Sequence, residues 1–270
     1  MKVSLLQMNV QHDKAANLRL AAQLIEQAVK LDQPDLVVLP ECFTFYGGTL
    51  DEQRASAEPC PDGEAYEMLK RLARRHRIFI HGGSLNERHG DHIFNTTFIF
   101  NREGAEVCSY RKIHMFAITA PDGMVYDENH LYRAGDEVVT YDCEGVRVGC
   151  SICYDIRFPE LYLELVRRGA QVIAIPSAFT LQTGKEHWEV LCRARAIETQ
   201  CYILAPGHEG IYYENGAPLA NYGHSMVVDP WGTVIARRAL GNGIVSTRLD
   251  PDAVAAARSR IPLSQHRKLV

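Results

Sequence analysis

Arg147-Val148-Gly149-Cys150-Ser151-Ile152-Cys153 alternates as a strand does, and Pro159–Arg168 follows as a helix with proline in its first turn. That proline lacks an N–H which the first helical turn would leave unpaired in any case. Gly169 stands where a glycine caps a helix end, and Gln171–Pro176 is a short apolar run of strand type. Strand, helix, strand is therefore the local unit, and it recurs in both directions. Upstream, Lys2–Asn9 reads as a strand. Lys14–Leu31 is a helix with an apolar stripe at Leu18, Ala21, Ala22, Ile25 and Ala28, and Asp35–Pro40 is a strand buried on both faces. Pro61–His76 reads as a helix whose basic end (Arg71, Arg74, Arg75) suits the macrodipole. Ile78–Gly82 is a buried strand, and Asn95–Phe100 with Glu106–Ser109 a hairpin. Downstream, Lys185–Thr199 is a helix, and Cys201–Pro206, Ser225–Asp229, Thr233–Arg237 and Gly243–Leu249 are strands. Ten or more strands covered by helices predict an α/β fold with two sheets.

The chain has 270 residues, of which 46% are hydrophobic and 23% charged. These values exclude a disordered or low-complexity chain. With 29 basic and 33 acidic residues the formal net charge is −4, which argues against a nucleic-acid or anionic-membrane partner. The opening Met1–Met8 has no long apolar core of a signal peptide, and no window approaches a membrane span. A cytoplasmic protein of one domain over 1–270 is expected. The eight cysteines are then read mainly as buried thiols. Cys150 and Cys153 form a C-x-x-C, but a strand through both turns the sulfurs away from a shared metal, so a redox or zinc site is the weaker reading.

Three residues stand out chemically. Cys153 ends a predicted strand, where α/β folds gather catalytic groups. Taken alone it reads as a structural thiol. Glu41 follows the apolar strand and Pro40, where partial desolvation would suit a proton acceptor. Lys112, between Arg111 and Ile113, reads as part of a loop turning inward; a lysine beside a thiol favours the thiolate and can steady an oxyanion.

Leu39-Pro40-Glu41-Cys42-Phe43, Tyr110-Arg111-Lys112-Ile113-His114 and Gly149–Glu160 resemble, in order, the three signature segments of the carbon–nitrogen hydrolase (nitrilase) superfamily. Lys112 lies 71 residues after Glu41, and Cys153 lies 41 after Lys112. The resemblance continues through Pro176–Phe179, His187-Trp188-Glu189, Arg193–Tyr202 and Tyr222–Gly232, so it spans nearly the whole chain. It implies a four-layer α-β-β-α sandwich and a Glu41–Lys112–Cys153 triad with Cys153 as nucleophile. It implies Glu128 as a supporting carboxylate, with no metal and no cofactor. It also implies a homodimer or higher homo-oligomer built through the helices after Cys153 and around Lys185–Thr199.

Within the superfamily the chain is most similar to amidases of the deaminated-glutathione type and next to omega-amidases acting on alpha-keto acid monoamides. The expected reaction is hydrolysis of a small-molecule amide bearing a carboxylate, through a thioester, with release of ammonia. The Tyr154 N–H is the expected second oxyanion donor. Arg157 either binds the substrate carboxylate or pairs with Asp155 or Glu160, while Tyr46, Phe179 and Thr180 are candidate pocket walls. Ile118–Met124 and the loop Gly207–Leu219 depart from the branch pattern, and the chain ends at His266–Val270 where members commonly continue into a tail that helps dimers close. Rival readings are an N-carbamoyl amidohydrolase, a nitrilase, and a non-catalytic binding protein that kept the fold.

Overall fold

The computed structural model describes residues 1–119 and 123–268. Part of the Ile118–Met124 stretch and the final two residues therefore lie outside the described residues.

Two large sheets form the centre. The first has eight strands, with Gly243–Arg248, Lys2–Gln7, Leu36–Val38, Phe79–His81 and His92–Phe100 side by side. Lys2–Gln7, Leu36–Val38 and Phe79–His81 run parallel. The second sheet has six strands, and its middle is again parallel: Val146–Cys150, Val172–Ala174 and Tyr202–Ala205. Parallel neighbours need crossovers, and helices Lys14–Asp32, Glu64–His76, Pro159–Arg167 and Glu189–Thr199 supply them.

The period-two geometry of the strands explains the layering. Val3, Leu5, Leu36 and Val38 of the first sheet share one core with Val148, Cys150, Val172 and Ala174 of the second. The alternate residues Leu6, Val37 and Ile80 point the other way, onto Leu18, Ala21, Ile25, Leu69 and Leu72 of the first helix pair. On the far side, Leu161, Leu165, Cys192 and Ala196 cover the second sheet. The order is helix, sheet, sheet, helix, the four-layer sandwich expected. Each fully buried Leu or Ile in these interfaces contributes roughly 1.5–3 kcal/mol.

Several boundaries differ from the sequence expectation. The strand read through Cys153 stops at Cys150, because Cys153–Arg157 turns into a short 3-10 helix. The argument that a strand separates the two C-x-x-C sulfurs is therefore replaced; both are free thiols, as are all eight cysteines. The helix expected from Pro61 starts at Glu64. Lys185–Thr199 is helical throughout, but its first turn is a π-helix over Gly184–Trp188. Gly207–Leu219 is not a loop: Glu209–Glu214 and Ala217–Tyr222 form a two-stranded hairpin. Its turn, Asn215-Gly216, has both residues at positive φ (49° and 78°), the geometry of a type I′ hairpin turn.

Candidate active site

Two elements bring the candidate residues to the carboxyl ends of the parallel strands, the customary place for chemistry in such sheets. Glu41 follows Leu36–Val38 through Pro40. Cys42, next in line, adopts φ 43°, and its N–H donates to Ser84 Oγ at 2.8 Å. Gly83 supports this turn from below. At φ 60°, a Cβ there would stand 2.0 Å from the Pro40 carbonyl oxygen, so only glycine fits.

Cys153 also has a positive φ, 47°, which costs a non-glycine residue on the order of 1–3 kcal/mol. The turn is held by two bonds. Cys153 N–H donates to the Pro176 carbonyl at 2.9 Å, and Ile152 N–H donates to Asp155 Oδ2 at 2.8 Å. Asp155 is fully buried, and it also accepts from Tyr110 O–H at 2.7 Å and from His114 N–H at 3.0 Å, with His114 Nδ1 2.7 Å away. One carboxylate thus ties the Cys153 turn to the strand and loop that carry Lys112. Sequence reasoning gave Asp155 only as a partner for Arg157; the structure corrects that, since its oxygens are engaged elsewhere.

Lys112 is completely buried. Its Nζ donates to Glu41 Oε1 at 2.9 Å and to both Glu128 oxygens, at 3.0 and 2.7 Å. Burial opposes the ammonium, but Glu128 and Glu41 outweigh it and hold the Lys112 pKa well above its usual value. Glu128 is raised, chiefly by burial, with Lys112 pulling it down and Glu41 pushing it up. The Phe116 N–H donates to Glu128 at 2.8 Å.

Glu41 is almost wholly enclosed and accepts two further bonds, from Asn95 Nδ2 and from the Ala178 N–H, both at 2.9 Å. The same Ala178 N–H faces Cys153 and favours its thiolate slightly. Burial, and then Glu41, raise the Cys153 pKa well above normal, with Lys112 only partly opposing. Lys112 favours the thiolate, but burial and Glu41 outweigh it, so the sulfur rests protonated, beside an acceptor. Asn95 and the Ala178 N–H were not read from sequence. Asn95 lies in the His92–Phe100 strand, and an amide set between the apolar pairs Ile93-Phe94 and Phe98-Ile99 was the available signal.

A cavity of about 530 Å³ opens over this cluster and is lined by Cys153, Glu128, Tyr154, Phe179 and Thr180, with Tyr46 on the same wall. All five pocket residues named from sequence reach it. Arg157 lines it too; its guanidinium lies 5.7 Å from the Tyr154 ring centre and 5.5 Å from that of Phe179, and Nη2 is 3.3 Å from His187 Nδ1. Among the described residues no cluster of three or more His, Cys, Asp or Glu side chains is arranged to hold a metal ion. No helix among them is long and apolar enough to cross a membrane.

This fold and this cluster define a class. The carbon–nitrogen hydrolase family model matches residues 2–259, and the chain belongs to that family; it is a carbon–nitrogen hydrolase. More particularly, it is 37% identical over 277 residues to the deaminated glutathione amidase of Dictyostelium discoideum, covering 99% of this chain and 94% of that one. It is 37% identical over 279 residues to the omega-amidase NIT3 of Saccharomyces cerevisiae, covering 99% and 93%. The crystal structure of the Caenorhabditis elegans NitFhit protein superposes with a TM-score of 0.90 at 37% identity, covering 99% of this chain and 65% of that longer one.

Proposed function

We propose that the protein is an amidase that cleaves a small carboxylate-bearing amide through a thioester on Cys153. The carrying observation is the convergence of Glu41, Lys112, Glu128 and Cys153 beside one cavity, with Lys112 bonded to both carboxylates and Glu41 and Lys112 both acting on the Cys153 thiol. The resting thiol needs a base at the moment of attack, and Glu41 is placed for it.

As the Cys153 proton passes to Glu41, sulfur bonds to the amide carbon. The oxygen gains negative charge and is held by Lys112 Nζ and the Tyr154 N–H. Tyr154 stands in the first turn of the Cys153–Arg157 helix, where backbone donors lack intrahelical partners. Collapse breaks the C–N bond, and the amine leaves with the proton from Glu41: ammonia from an alpha-keto acid monoamide, a peptide amine from a deaminated-glutathione type of substrate. Water then enters; Glu41 takes its proton, hydroxide adds to the thioester carbon, and the C–S bond breaks. The sulfur recovers the proton, and the carboxylic acid departs. Glu128 keeps Lys112 charged and aimed throughout. Arg157 is the candidate anchor for the substrate carboxylate, as in a deaminated-glutathione or alpha-keto acid monoamide type of substrate.

We further propose a cytoplasmic homodimer. Eight free thiols suit a reducing compartment. Exposed Val190 and Ile197 lie two turns apart on the Glu189–Thr199 helix, Gly232 next to exposed Trp231 packs against Ile197, and together they supply an apolar face for a second copy. The test is ammonia release from an amide, a carbamoyl amino acid and a nitrile assayed in parallel with Cys153→Ala and Cys150→Ser. Amide turnover lost only in Cys153→Ala supports the reading. Equal loss in both variants, or a faster carbamoyl or nitrile reaction, overturns it.

A further inference from the structure

We propose that His187 is a positioning residue that aims Arg157 at the substrate without neutralising it, and so sets the selectivity for an amide with an anionic tail. This rests on the amidase reading with Arg157 as carboxylate anchor, and it adds the device that makes the anchor work.

Arg157 closes the short 3-10 helix that begins at Cys153, so the turn that presents the nucleophile also presents the guanidinium. The side chain lines the cavity and is half-buried, and no Asp or Glu stands at ion-pair distance from it among the described residues. Asp155, two residues away, is spent on Tyr110, His114 and Ile152. Two rings and one hydrogen bond hold the guanidinium instead. The ring centres of Tyr154 and Phe179 lie at 5.7 and 5.5 Å, and Nη2 donates to His187 Nδ1 at 3.3 Å. Ring faces attract a cation without fixing which N–H points where. The directional contact is the one to the histidine.

An irregular turn places His187. Gly184–Trp188 is a π-helix running into the α-helix Glu189–Thr199, and such wide turns recur at functional sites. Both of its ends are pinned. A Cβ on Gly184 would lie 2.2 Å from Tyr222 Cβ, so the turn rests directly on that side chain. Trp188 is buried, its Nε1–H donates to the His224 carbonyl at 3.0 Å, and its ring packs 4.7 Å from that of Phe179. Phe179 thus touches both the turn and the guanidinium.

A guanidinium only donates, so His187 Nδ1 accepts, and the imidazole in this bond is neutral with its proton on Nε2. That neutrality matters. A carboxylate in the same place would orient Arg157 equally well, but it would cancel the charge and compete with the substrate for the fork. A neutral acceptor takes one N–H and leaves the full charge and the other N–H groups to the ligand.

The test measures kcat and KM for the monoamide of glutaric acid and for its neutral isostere, in which a methyl ketone replaces the carboxylate. The unmodified enzyme is expected to favour the monoamide in KM by about tenfold, and Arg157→Gln to lose that preference. His187→Asn sets an amide oxygen where Nδ1 stands and keeps the preference. His187→Leu has no acceptor and raises KM for the monoamide by about tenfold, more than it lowers kcat, while the isostere's KM stays within about twofold. His187→Asp has the shape of the Asn variant but carries a charge, and it loses the preference too. A preference that survives in His187→Leu or His187→Asp, an Asn variant as poor as the Leu one, or an isostere KM that rises in step with the monoamide's overturns the role of His187 alone. Absence of a preference in the unmodified enzyme, or one that Arg157→Gln leaves intact, overturns the anchor and the role together. Calorimetric binding of both ligands to Cys153→Ala, alone and with each His187 change, needs no turnover. The expected ranking there without hydrolysis by the unmodified enzyme refutes the amidase assignment and leaves the role of His187 standing.

Discussion

Replacing Lys112 by methionine removes the cation that bridges Glu41 and Glu128 while keeping most of the volume. Both carboxylates touch the same ammonium, at 2.9 and 2.7 Å, and the lysine is completely buried. Taking one partner from a buried ion pair typically costs about 3–5 kcal/mol, because the charge left behind is uncompensated. Here two like charges remain, and one of them must take up a proton. Glu128 is the candidate, since burial already raises it and Lys112 is the strongest influence pulling it down. A carboxylate with a raised folded-state pKa binds more protons folded than unfolded, so its contribution to stability is greatest at low pH and is lost as pH rises through that pKa. The Lys112→Met deficit, read as urea-unfolding midpoints against the parent at each pH from 8.5 to 5.5, is therefore largest at the alkaline end. It shrinks by up to ~1.4 kcal/mol per pH unit once the shifted pKa is passed. Loss of the oxyanion donor lowers kcat by about 10²–10³. A deficit that is small, or constant across the series, would refute the placement of Lys112 as the charge that reconciles the two acids.

His81 and His208 are buried and pushed down to about 3 by desolvation. The unfolded chain protonates them first as pH falls through ~6.5, so stability drops by about 2 kcal/mol for each at pH 5. His81→Gln flattens the acid limb of a midpoint-against-pH plot; an unchanged limb contradicts the assignment. Asp155→Asn turns an amide N–H₂ towards the Tyr110, His114 and Ile152 donors, and costs about 2–4 kcal/mol in thermal or urea unfolding. Because Asp155 couples the Lys112 loop to the Cys153 turn, kcat falls more than KM rises; an intact kcat in a destabilised variant would make the residue merely structural.

Most of the architecture was legible because it rests on patterns a sequence carries. Leu36-Val37-Val38 and Val172-Ile173-Ala174 are apolar at every position since helices cover one face and the other sheet the second. Glu41, Lys112 and Cys153 were legible through the segments around them, yet their meeting depends on strand order, which no local pattern states. The Glu209–Tyr222 hairpin was missed because residues such as Ile211 and Tyr213 are exposed, which blurs its alternation; the Asn215-Gly216 turn was the signal available. The resting protonation of Cys153 was also out of reach. It follows from burial at the floor of the cavity beside two carboxylates, and sequence shows the neighbouring lysine but not the depth.

The central claim is that Cys153 carries the acyl group. Intact-protein mass spectrometry of samples quenched with acid during amide turnover measures this directly, followed by peptide mapping. The account predicts an acyl adduct on Cys153 alone, absent from Cys153→Ala, which turns over no amide. An adduct on Cys42, whose thiol lines the same cavity, or turnover by Cys153→Ala, would contradict it.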